Sequence, residues 1–210
     1  MNSILVRFRL NDDNAPFLKL TFMPLAHILI AALGIGGTIP SEIGDLPHLN
    51  VLKMPFNEFT GTIPQSLVNE KMLRLELHDN FLAGDISSFF LGFDQLQVLS
   101  LNKNMFSGSI PSAIGALTNL KGLFLSYNIL SGSIPSQISL CKNLIFANLD
   151  WNQFIGQIPT ETGLLTQLHE LWARRNLFSG TLPSEIGNMF KLGEFLMHSL
   201  FMWKISSSIL

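Results

Sequence analysis

Five histidines, one cysteine and fifteen side-chain carboxylates are the stock from which this chain could build acid–base, nucleophilic or metal chemistry. Their spacing gives them little to do together. His27, His48, His78, His169 and His198 stand far apart, and none has a Cys, Asp or Glu three or four positions further on to complete a chelating pair. No nucleophile elbow, phosphate-cradling loop or dinucleotide fingerprint occurs, so the sequence implies neither cofactor nor metal and reads as noncatalytic. The adjacent His78 and Asp79 read as a solvated turn edge. A different chemistry is concentrated between residues 124 and 175. The only Tyr, Tyr127, and two of the three Trp, Trp151 and Trp172, lie there with Phe124, Phe146, Asp150, Glu170, Arg174 and Arg175. Rigid aromatics lose little entropy on contact and Arg adds directed hydrogen bonds, which is the chemistry of recognition.

What positions these residues is a repeat. The element Asn-x-(Leu/Phe)-x-Gly-x-(Ile/Leu) recurs with its Asn at Asn57, Asn80, Asn104, Asn128, Asn152 and Asn176, at spacings of 23, 24, 24, 24 and 24 residues. A short, regular period means a stack of like units, each burying its apolar face against its neighbours. Counting from each Asn, positions −14, −11, −8, −5 and −3 are apolar almost throughout. On the other side +2 and +6 are apolar and +4 is Gly. Around Asn128 these are Ile114, Leu117, Leu120, Leu123 and Leu125, then Leu130, Gly132 and Ile134. Apolar residues two apart predict a short strand, and the three-residue spacing before it suits a 3₁₀ or irregular turn on the opposite side. Pro follows +6 in most copies and excludes long helices. The Asn amide, buried among apolar neighbours, both donates and accepts, and so can satisfy backbone groups that the turn leaves unpaired, forming a ladder through the stack.

The stretch Leu117-Thr-Asn-Leu-Lys-Gly-Leu-Phe-Leu-Ser-Tyr-Asn-Ile-Leu-Ser-Gly-Ser-Ile-Pro135 resembles the plant-type leucine-rich repeat, LxxLxxLxLxxNxLxGxIPxxLGx. The resemblance runs over six clear copies and two degraded ones. It implies an α/β-class leucine-rich-repeat solenoid of about seven to eight repeats, a right-handed arc with a parallel sheet on its concave side and 3₁₀ or irregular segments outside. It also implies protein or peptide recognition, as in the ectodomain of a receptor or receptor-like protein in signalling or defence, with a possible co-receptor. Placed on that frame, residues at −6, −4, −2 and −1 face the concave side or its rim, and Phe124, Tyr127, Phe146, Asp150, Trp151, Glu170, Trp172, Arg174 and Arg175 become candidate ligand contacts.

The boundaries expected are a flanking segment over 1–19, a solenoid over 20–200 and an uncapped tail over 201–210. Residues 20–40 carry no Asp, Glu, Lys or Arg and admit two readings. One is a membrane or signal segment; the other is a first repeat, with Phe22, Leu25, Ile28 and Ile30 at buried offsets. The second is favoured by Gly37-Thr-Ile-Pro40, which lies 24 residues before Gly61-Thr-Ile-Pro64. Membrane association through residues 20–40 or through a missing C-terminal part stays open.

Composition bounds the rest. Apolar residues make up 47% and charged residues 13%, which excludes a disordered chain and leaves little charge to cover the surface. A formal charge of −2 supplies no basic field for nucleic acid or anionic lipid. Cys141 is alone and no Asn-x-Ser/Thr sequon occurs. Both facts argue against a glycosylated, disulfide-capped domain and keep open an intracellular interaction scaffold, beside the cell-surface or secreted location that the resemblance implies. The lack of paired-cysteine flanks suggests a partial gene product, which in the extreme folds poorly and binds nothing. Departures from the pattern predict local irregularity at 67–73, where Asn69, Glu70 and Lys71 replace apolar residues in a copy one residue short.

Overall fold

A computed structural model describes residues 4–10, 18–22 and 26–196 of the chain. Its organising element is a parallel sheet of three-residue strands, one per repeat: His27–Leu29, Val51–Lys53, Arg74–Glu76, Val98–Ser100, Gly122–Phe124, Phe146–Asn148, Glu170–Trp172 and Glu194–Leu196. Register follows the repeat, so that Leu75, Leu99, Leu123, Ala147 and Leu171 are Cα partners in one row. Those middle residues are buried. Side chains alternate across a strand, so the two outer positions of each point to the other face of the sheet.

After Pro40, Pro64, Pro111, Pro135, Pro159 and Pro183 come 3₁₀ segments at Ser41–Ile43, Gln65–Leu67, Ser112–Ala116, Ser136–Leu140, Thr160–Leu164 and Ser184–Asn188. Each Pro sets φ for entry, and its carbonyl accepts the N–H three residues on, as in Ile114 to Pro111 at 3.0 Å and Ile138 to Pro135 at 3.1 Å. The Gly at +4 has positive φ wherever it recurs, +77° at Gly61 and +76° at Gly132. A β-carbon there would stand 3.0 Å from Thr38 Cγ2 and from Ser109 Cβ of the preceding coils. Backbone conformation and close stacking both require glycine.

The irregularity expected at 67–73 is present. The 3₁₀ segment there is only three residues long and Val68 is extended, at φ −81° and ψ 100°. Asn69 substitutes for the lost turn, accepting the Lys71 N–H at 3.0 Å and donating to Leu67 O at 3.3 Å. The next coil, with Ser87 in place of Pro, has turns instead of a 3₁₀ segment, and its interior is filled by buried Phe89, Phe90 and Phe93.

Two features lie outside the sequence-based expectations. Short strands follow the Asn position of successive coils, at Ile35–Thr38, Glu58–Gly61, Phe81–Asp85 and Met105–Ser107, then Ser131–Gly132, Gln153–Gly156 and Leu177–Phe178, and they pair in parallel within these two groups. At the N-terminal end Ile4–Leu10 pairs antiparallel with Leu18–Phe22 and joins the first of these strands through Arg9 opposite Gly36 and Leu10 opposite Ile35. Phe22 therefore sits in a hairpin strand rather than in a repeat turn. The expected boundary at residue 20 falls within that strand, and Leu25 and 197–210 lie outside the described residues. Residues 27–40 form a coil of the stack, with His27–Leu29 paired to Val51–Lys53. Among the described residues no helix is long and apolar enough to cross a membrane.

Candidate recognition surface

The recurring Asn holds the turn from which the candidate residues project. Asn128 Nδ2 donates to Leu101 O of the preceding coil at 3.0 Å and to Leu125 O of its own at 3.1 Å, while its Oδ1 accepts the Phe106 N–H at 2.9 Å. Asn152 repeats this with Leu125 O, Leu149 O and the Leu130 N–H, and Asn176 with Leu149 O, Ala173 O and the Phe154 N–H. Asn57, Asn80 and Asn104 bond in the same way. In the first coil Leu33 occupies this position, and its N–H is accepted by Asn57 Oδ1.

The residue before each Asn adopts left-handed φ, +54° at Tyr127, +54° at Trp151 and +56° at Arg175. Side chains at these positions are turned outward from the stack. Tyr127 and Trp151 are 47% and 44% exposed, and their rings stack with centroids 5.2 Å apart and planes 13° from parallel. The Arg175 guanidinium lies over the Trp151 ring, 5.1 Å from its centroid. Stacking and cation–π contact fix three side chains in one column at the rim.

On the strands, Phe124 and Trp172 flank Asn148 in one register row, and Phe146 is the Cα partner of Glu170 in the next. Phe124 lies across its own strand because Gly122 has no side chain: a β-carbon there would be 2.7 Å from Phe124 Cε2. Arg174 lies 5.5 Å from the Trp172 centroid and is held by Asp150, whose Oδ2 accepts from Nε at 2.8 Å and from Nη2 at 2.6 Å. Asp150 Oδ1 accepts the Arg174 N–H as well.

Position alone misjudges Asp150. It is 2% exposed and engaged by Arg174 through both oxygens, so the expectation of a carboxylate displayed to a ligand is corrected to one that orients Arg174. That hydrogen bond raises the guanidinium's already high pKa. Phe146, Tyr127, Trp151 and Arg175 are exposed, and Phe124, Glu170, Trp172 and Arg174 half-buried. The indole Nε1 of Trp172 is buried without a hydrogen-bond partner. Next to this group, a hollow of about 270 Å³ opens between Arg74, Glu76, His78, Val98, Ser100, Asn102 and Phe124.

Sequence spacing did not reveal a second exposed surface. Phe81 and Met105, at the start of their short strands, and Ile129, just before its own, each one residue after an Asn, are about half exposed. Their period-two alternation with buried Leu82, Phe106 and Leu130 was the available signal. Among the described residues no group of three or more His, Cys, Asp or Glu could hold a metal ion.

The family profile described as Leucine Rich Repeat matches residues 95–117, 119–141 and 167–189. Solved structures extend the likeness over most of the stack. A plant peptide hormone receptor, RGFR1 in complex with RGF2, is 34% identical over 82% of this chain and 28% of its own, with a TM-score of 0.77. The stack is built of leucine-rich repeats of the plant type. The ectodomain of the Arabidopsis receptor kinase HAESA, solved with the peptide hormone IDA, is 33% identical over 76% of this leucine-rich-repeat chain and 27% of its own, with a TM-score of 0.73. A pollen receptor kinase 3 structure is 29% identical, covering 73% of this chain and 72% of its own at a TM-score of 0.62. This leucine-rich-repeat chain therefore spans under a third of the first two receptors. No curated protein sequence matches it significantly.

Proposed function

We propose that this leucine-rich-repeat protein is a noncatalytic recognition module that binds an extended peptide or protein segment across the outward face of its long parallel sheet. The observation that carries this reading is the aromatic and arginine cluster on three consecutive coils: Phe124 and Tyr127, Phe146 and Trp151, Trp172 with Arg174 and Arg175. Tyr127, Trp151 and Arg175 are held by ring stacking and cation–π contact, and Arg174 over Trp172 by the Asp150 clamp, before any partner arrives, so binding loses little conformational entropy at them.

The similar structures support a peptide as the occupant, since RGFR1 and HAESA were each solved with a peptide hormone, HAESA also with the co-receptor SERK1. We assign the chain accordingly to the ectodomain-like part of a receptor or receptor-like protein at the cell surface or in the secreted space, acting in signalling or defence. A co-receptor is the natural second partner. Expression of a tagged chain tests the location: cytosolic protein that never enters the secretory pathway would instead support an intracellular scaffold.

The site is tested by selecting random peptides displayed on phage against the immobilised chain. The wild type is expected to enrich a set of peptides, and Trp151→Ala with Trp172→Ala to lose them while circular dichroism stays unchanged. Equal capture by the double variant would move the site elsewhere.

A further inference from the structure

The candidate surface has an electrical direction. Arg74, Val98, Gly122, Phe146, Glu170 and Glu194 are successive Cα partners across six strands, in a register row that continues beyond Arg74 through Val51 to His27. From Arg74 onward the row runs from a cation through apolar and aromatic residues to two carboxylates.

The neighbouring charges sharpen this contrast. At the first end Arg74 and Lys53 share a single carboxylate, Glu76, at 2.7 and 3.2 Å, which leaves one net positive charge among three groups. At the other end Arg174 is paired with buried Asp150 and acts on Glu194 only at longer range, without forming an ion pair to it, while Arg175 lies over the Trp151 ring. Glu170 and Glu194 stand side by side on adjacent strands, and no ion pair is formed to either among the described residues. Like charges directly opposite each other in a sheet are unfavourable, and a cationic partner relieves that repulsion. Phe146 flanks the pair along the row, and Trp172 lies two residues from Glu170 on the same face, so an incoming cation meets π-faces as well as carboxylates.

We infer, building on the recognition reading above, that the ligand is an extended peptide of mixed charge, with an acidic side chain at the Arg74 end, a basic one over Glu170 and Glu194, and an apolar side chain between them on Phe124 and Phe146. The row sets its length. Neighbouring strands are about 4.8 Å apart, so Arg74 to Glu170 or Glu194 is roughly 19–24 Å, which an extended chain at about 3.3 Å per residue crosses in about six or seven residues. The charge order fixes the direction in which the peptide lies, because the reversed orientation sets like charges against each other at both ends.

The test repeats the phage selection with the full chain and with a Glu170→Lys, Glu194→Lys variant, each verified by circular dichroism. The wild type is expected to enrich peptides carrying Asp or Glu about six residues from Lys or Arg. The charge-reversed variant is expected to bind the winning peptide roughly tenfold or more weakly and to select peptides with an acidic residue in place of the basic one. Enriched peptides without this charge order, or one consensus from both proteins, would overturn the inference and leave the recognition face standing. Failure of the wild type to enrich any peptide would overturn both.

Discussion

The Asn ladder shows how one side chain can decide a fold. Each amide satisfies backbone groups in two coils at once, and a substitute without an amide leaves those groups buried and unpaired. We expect Asn128→Leu or Asn152→Leu to destabilise the stack by about 2–4 kcal/mol, since each orphaned buried group costs about 1–3 kcal/mol; urea unfolding measures this. The thiol of Cys141 is a different case, a small core residue whose Sγ donates to Ile114 O at 3.2 Å. Burial pushes its pKa up from 9.0 to about 11. The native protein should resist iodoacetamide at pH 8 and react only as it unfolds. Because the unfolded thiol ionises first, stability is kept below pH 9.0 and declines as pH rises toward about 11. Glu76 works in the opposite sense. Partial burial disfavours its charge, but hydrogen bonds from Arg74 and Lys53 outweigh this and hold its pKa below the ordinary 4.5. Its contribution is present above that pH and lost as pH falls further, and Glu76→Gln should flatten the acid limb of a melting-temperature profile.

At the scale of the coil, the 24-residue spacing made the strand, the Pro-initiated turn and the buried positions legible in the sequence, because each answers to residue type at a fixed offset. The spacing also gave the outward positions of Phe146, Trp151 and Trp172. It could not give the exposure of Asp150, which depends on where the Arg174 side chain of the next coil turns. Nor did it show the short strands after each Asn, since two to five residues of alternation are too brief to stand out from a turn. The coil from Phe81 to Asn104 is the informative exception: without Pro, its shape depends on packing. Phe89 and Phe93 meet edge to face at 5.1 Å beside fully buried Phe90. Phe90→Ala should cost about 3–5 kcal/mol, whereas Leu91→Ala, at an exposed neighbour, should change the denaturation midpoint little.

Across the whole molecule, each coil touches only its neighbours, so stability is propagated rather than held at a centre. The same one-dimensional order lines up the register rows, and a ligand crossing the sheet therefore reads one residue from each coil in sequence order. The central claim is that this reading happens at the aromatic end of the face. Trp151 and Trp172 make it directly observable, once Trp203→Phe leaves them as the only indoles. Titrating that variant with a peptide from the selection should give a saturable change in tryptophan emission whose midpoint matches the affinity measured by anisotropy of the labelled peptide. Saturable anisotropy with unchanged tryptophan emission would contradict the account, because the peptide would then be bound away from both residues.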